Sequence, residues 1–93
     1  PEVMGVGPIK AVRNLLEKIG ARVGDFGIIE SNEAFAAQAC AVSRELGFAN
    51  ERTNPNGGAI ALGHPVGATG VILTTKAVYE LKRTGAHRAL ITM

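Results

Sequence analysis

Residues 54–70, reading NPNGGAIALGHPVGATG, constrain the fold more than any other stretch of this chain: five glycines frame a Gly-His-Pro and run straight into an apolar, helix-compatible segment. Gly57, Gly58, Gly63, Gly67 and Gly70 carry no Cβ, so the backbone there can turn sharply or pass close to a ligand, while Pro65 biases His64 towards an extended conformation. One titratable imidazole is thereby held in a backbone that few other purposes require. The plain alternative is a glycine-rich connection whose histidine satisfies a buried carbonyl.

Composition narrows what such a loop can serve. At 93 residues and 46% hydrophobic, the chain can bury one modest core and has no room for a second domain. Its net charge of +2 comes from interspersed acids and bases, and three Phe with one Tyr offer no stacking platform, which argues against a nucleic-acid partner. The single cysteine, Cys40, excludes an internal disulfide and suits a reducing compartment, the cytoplasm or an organelle matrix. No apolar run approaches the roughly 18 residues of a membrane span, so no membrane partner is expected.

Along the chain, helix and strand signals alternate, the pattern of an α/β fold built around a mixed sheet. Pro8 opens a helix through Ile19, with Ile9, Val12, Leu15, Leu16 and Ile19 at helical spacing and Gly20 as the stop. Residues 26–30 are short and apolar enough for a buried strand. Asn32 follows as a plausible N-cap, with Glu33 favourable against the dipole of a helix that runs to Leu46 and ends at Gly47. Residues 59–62 read as short and extended. A further helix is expected from Pro65 or Val66 to Thr84, its uncharged first half enclosed by protein, with Gly85 closing it. Residues 89–91 read as an interior strand.

Two segments carry the chemistry. Asn32-Glu33-Ala34-Phe35-Ala36 follows the apolar Gly27-Ile28-Ile29, and together with Asn54-x-x-Gly57-Gly58-x-Ile60-Ala61-x-Gly63-His64-Pro65-x-Gly67-x-Thr69-Gly70 it resembles the thiolase family. Met4-Gly5-Val6-Gly7-Pro8 is similar to the segment that precedes this in thiolases, so the resemblance covers nearly the whole chain. Residues 1–93 then look like a fragment of a thiolase C-terminal domain. The resemblance implies acyl transfer between CoA thioesters, with Claisen condensation or thiolytic cleavage of 3-oxoacyl-CoA, and needs neither metal nor bound cofactor. It further implies that Asn32 holds a water, that this water and His64 bind the thioester oxygen when the enolate forms, and that His64 activates a nucleophilic cysteine. Met4, Ala34, Phe35 and Gly63 would by the same resemblance line the substrate channel. Thiolases carry that cysteine in an N-terminal half and a second one in a Cys-x-Gly loop beyond the last segment resembled here. Neither has a counterpart in this sequence, so the implied partners are acyl-CoA, the missing N-terminal half and further copies of the intact enzyme. The chain alone is expected to be inactive.

Other readings compete at each position. Asn32 can be a helix cap alone, and Phe35 and Met4 can be core filling. Glu33 is most simply a dipole partner, Glu30 a structural residue and His87 a solvated turn residue. Cys40, eight residues beyond Asn32, would be displaced about 12 Å along a shared helix and away from His64, and between two alanines it reads as a small buried residue rather than the nucleophile of an Asn-Cys-His triad. A nucleotide-binding module would need the Gly-Lys-Ser/Thr end of a P-loop or a Gly-x-Gly-x-x-Gly spacing, and this loop has neither. A thiolase-like assembly domain without catalysis is the remaining alternative, decided by whether a nucleophilic cysteine stands in the rest of the protein.

Overall fold

The computed structural model describes residues 3–93. Its elements in chain order are helix α1 (Gly7–Ile19), strand β1 (Ile28–Ser31), helix α2 (Ala36–Leu46), the single-turn helix α3 (Ala59–Leu62), helix α4 (Thr69–Thr84) and strand β2 (Ala89–Thr92), with 3-10 turns at Met4–Val6, Val23–Asp25 and Asn50–Arg52. The strands pair in parallel, with Ile28 opposite Ala89 and Ser31 opposite Thr92. A third segment joins the other edge of β1 through a parallel bridge between Ile29 and Thr53. The α/β class is as expected, and the pairing among the described residues is parallel throughout.

Alternation along β1 splits the molecule into layers, because successive strand side chains point to opposite faces. Ile29, with Leu90 beside it on β2, packs against Val12 of α1 and Val42 of α2, and Phe26 and Phe48 close that core. Ile28 and Glu30 point the other way, towards α4, where Leu73 and Ala77 are buried. Helices therefore cover both faces of a small sheet. Burying each large apolar side chain contributes about 1.5–3 kcal/mol, so this core is what holds the layers together.

The helix stops are legible in the sequence. Gly20, Gly47 and Gly85 end α1, α2 and α4 in the left-handed region, and Phe48 N–H reaches back to Ser43 O at 2.9 Å, which turns Phe48 into the core.

Four local expectations are corrected. Asn32 does not cap a helix: its backbone N–H donates to Thr92 O at 2.9 Å, continuing the strand ladder, and α2 begins only at Ala36 after an extended Phe35. Residues 59–62 are helical rather than extended, because the Glu33 carboxylate accepts the Ile60 N–H at 3.0 Å and so satisfies a free donor of that turn. Residues 65–68 form a turn, with Ala68 N–H and Thr69 N–H both donating to Pro65 O, and α4 starts at Thr69. The first half of α4 is not enclosed by this chain either, since Val71 is 70% and Ile72 37% exposed, and Val66 in the turn before it is 74% exposed.

Candidate active site

The carboxyl end of β1 delivers Asn32, and the connection between α3 and α4 delivers His64. Gly63 makes the second delivery possible. Its φ of 97° is open to glycine and rarely to other residues, and it turns the chain out of α3 so that His64 faces back to the strand end. Upstream, Gly58 passes so close to the Glu33 carboxylate that any Cβ there would overlap it.

Asn32 Nδ2 lies 3.4 Å from His64 Nε2, across 32 residues of sequence. Asn32 is 5% exposed and His64 is half-buried. On the far side of the ring, His64 Nδ1 lies 2.7 Å from Thr69 Oγ1, and the Thr69 hydroxyl donates to Pro65 O at 3.0 Å. A hydroxyl has one proton, so with that proton on Pro65 the oxygen accepts from Nδ1–H. The hydrogen-bond network thereby assigns the tautomer: Nε2 carries the lone pair and accepts from the Asn32 amide. Thr69 is 3% exposed, which keeps water from competing for this contact.

His64 and Asn32 border a largely apolar cavity of about 500 Å³ whose lining includes Met4, Ala34, Phe35, Gln38, Val66 and Met93. Met4, Asn32, Ala34, Phe35 and His64 are thus brought together. Gly63 is not on this wall; it borders a much smaller cavity behind Asn32, beside Thr69 and Lys76. Phe35 is 65% and Met4 72% exposed, so neither is core filling within this chain. Thr69, Gln38 and Met93 were missed by the sequence reading. Thr69 alone left a signal, as a hydroxyl five residues past the histidine at a helix start. Asn32 Oδ1 is buried and has no hydrogen-bond partner among the described residues, an arrangement that costs about 1–3 kcal/mol until a donor arrives.

The remaining candidates are accounted for by structure. Glu33 is not a dipole partner of α2: it receives Ile60 N–H at 3.0 Å and the Asn54 amide at 3.4 Å. Glu30 is fully buried and paired with Lys76 at 2.8 Å. Cys40 is exposed rather than buried, in a cleft beside Ser43 and Asn50 that does not include His64. His87 is exposed. Among the described residues no three His, Cys, Asp or Glu side chains gather around a point where a metal ion would fit, and no helix is long and apolar enough to cross a membrane.

Residues 1–93 match the family model described as thiolase, C-terminal domain. The chain belongs to the thiolase family. Among characterised thiolases, the beta-ketoadipyl-CoA thiolase of Pseudomonas knackmussii is 59% identical over the whole of this chain, which covers 24% of that protein. The acetyl-CoA acetyltransferase of Shinella zoogloeoides is 52% identical, again over all of this chain and 24% of its own length. In three dimensions the peroxisomal 3-ketoacyl-CoA thiolase of Saccharomyces cerevisiae, described as a five-layered structure constructed from two core domains of identical topology, superposes with a TM-score of 0.83 at 51% identity, over 87% of this chain and 24% of that one. This thiolase sequence therefore spans about a quarter of the length of the relatives it matches.

Proposed function

We propose that this chain supplies the His64–Asn32 side of a thiolase active site, in a longer enzyme that transfers acyl groups between CoA thioesters and makes or cleaves the carbon–carbon bond of a 3-oxoacyl-CoA. The observation that carries the reading is the imidazole at the wall of an apolar cavity, whose Nδ1 is tied to Thr69 and whose Nε2 faces Asn32. A neutral Nε2 is a base, suited to taking the proton of a cysteine thiol contributed by the rest of the enzyme. Once protonated, the same nitrogen is a donor, suited to a thioester oxygen that becomes negative as thiolate or enolate adds. The buried Asn32 Oδ1 is an acceptor for one proton of a water whose other proton would reach that oxygen. Met4, Ala34 and Phe35 offer apolar surface to the acyl and pantetheine portions.

The names of the relatives support CoA thioesters as substrates. Their length supports a further part of the same protein, which would cover Val66, Val71 and the other apolar residues exposed here. The reading also includes self-association of the intact enzyme, a cytoplasmic or organelle-matrix location, and chemistry that draws on no metal or bound cofactor. The test is exchange of label between acetyl-CoA and free CoA by the intact protein, before and after chelation. Exchange that survives chelation supports the proposal; no exchange with any of a range of acyl-CoAs overturns it.

A further inference from the structure

The end of β1 is held by a side chain that stands in for a strand. Thr53 pairs with Ile29 as a parallel neighbour, and Asn54 N–H donates to Ile29 O at 2.8 Å. There the backbone leaves the sheet, because Asn54 adopts a φ of 48°, the only positive value at a non-glycine position among the described residues. The Asn54 side chain then continues the ladder: Ser31 N–H donates to Oδ1 at 2.9 Å, and Nδ2 donates to Ser31 O at 2.9 Å. A side-chain amide offers the same donor and acceptor as a peptide, so Asn54 takes both backbone groups of Ser31 on this edge, while on the other edge Ser31 stands in register with Thr92 and the next residue, Asn32, donates to Thr92 O. The second Nδ2 proton points to Glu33 Oε1 at 3.4 Å, and the other oxygen of that carboxylate caps Ile60 at the start of α3, the turn that leads to His64.

We propose that Asn54 is a positioning residue for the reaction: its amide fixes Ser31 and Glu33, the residues on either side of Asn32, and so sets where Asn32 stands relative to His64. The residue type follows from the geometry. Asparagine tolerates the left-handed conformation better than other side chains with both a donor and an acceptor. Aspartate would keep the acceptor for Ser31 N–H but turn a second carboxylate towards Ser31 O and Glu33. Glycine would keep the backbone and lose the clasp.

This inference rests on the functional reading above, and its test separates the two. Asn54→Gly in the intact enzyme removes the amide without adding backbone strain, and Asn54→Asp is the companion variant that keeps the acceptor for Ser31 N–H and replaces the donor with a carboxylate oxygen. Each is made alone and together with Asn32→Ala, and acyl-enzyme formation is timed separately from 3-oxoacyl-CoA cleavage. The expected result for both is cleavage slowed about tenfold or more, acylation held within about threefold, and at most about a twofold further loss in the Asn32→Ala background, since the effect passes through Asn32. A residue that merely supports the fold would slow both backgrounds by the same factor, and that outcome overturns the proposal. Crystal structures of the variants supply a readout independent of activity, in which the Asn32–His64 contact should lengthen from 3.4 Å. An unchanged contact overturns the proposal even if the unsubstituted protein proves active, whereas a lengthened contact in a protein without acyl exchange upholds the clasp and counts against the functional reading alone.

Discussion

Lys76 Nζ lies 2.8 Å from Glu30 Oε2 and 2.5 Å from the carbonyl oxygen of Gly57, so one ammonium on α4 binds both the middle of β1 and the glycine turn. Glu30 is fully buried and its Oε1 has no partner among the described residues, which makes Lys76 the group that compensates its charge. Removing one member of a buried pair leaves the other uncompensated. Lys76→Met is therefore expected to destabilise the intact protein by about 3–5 kcal/mol, and Glu30→Met combined with Lys76→Met by less than Lys76→Met alone. Denaturant midpoints of the single and double variants check this; a double variant less stable than the single would contradict it.

Thr69 is expected to matter for rate more than for binding. Thr69→Val keeps the shape and removes the acceptor of His64 Nδ1–H, releasing the ring from its tautomer. An orienting hydrogen bond worth about 1–3 kcal/mol corresponds to roughly 5- to 150-fold in kcat. Thr69→Ser keeps the hydroxyl and should stay close to the unsubstituted rate. Steady-state kinetics with acetoacetyl-CoA decides, and a Val variant that changes KM alone would be inconsistent with this role.

His64→Ala and Asn32→Ala should separate the two half-reactions. In its proposed role His64 is both the base and a donor to the thioester oxygen, so in the first variant acylation and carbon–carbon cleavage should both fail. The second removes the polar partner facing Nε2 and should mainly damage cleavage, by about 3 kcal/mol or roughly two orders of magnitude, with acylation closer to normal. Quenched-flow trapping of the acyl-enzyme measures the split. Failure of acylation in the Asn32 variant, with normal acylation in the His64 variant, would reverse the assigned roles.

The acid limb of stability should depend on Glu80. Hydrogen bonds from Arg83 and then Asn56 hold its carboxyl down to about 2, from an ordinary 4.5. A lowered folded-state value means that the contribution is complete above pH 4.5 and is lost as pH falls towards 2. Arg83 is 69% exposed, so solvent and salt screen the pair. Thermal midpoints of Glu80→Gln and the unsubstituted protein should accordingly converge across that window, and a difference that persists unchanged at its acid end would refute the assignment.

What the sequence disclosed follows the range of the forces involved. The extent of α1 and the glycines ending α1, α2 and α4 are local, and each is where periodicity and punctuation indicate, although Leu15 and Ile19 of the α1 stripe are exposed. Asn32 was misread locally, because Ser-Asn-Glu before alanines has the look of a cap, while the partners that decide its conformation are Thr92 and His64, far along the chain. Residues 59–62 form an apolar run too short for periodicity to distinguish strand from helix, and a carboxylate from Glu33 resolves the ambiguity. Pairing Asn32 with His64 came from the family resemblance. Thr69 and Asn54 stood within the same motif without a visible task, since what they do depends on which atoms the fold sets beside them.

A four-residue helix is marginal in water on its own backbone hydrogen bonds, and the Glu33 carboxylate that receives the Ile60 amide adds to what holds α3 closed. Hydrogen exchange at that one amide would therefore report the opening of the segment that leads to His64, on a timescale slower than side-chain motion and without any substrate present. Turnover faster than this opening would mean that the imidazole stays seated through many cycles; turnover slower than it would mean that the proposed base is unseated and reseated between cycles.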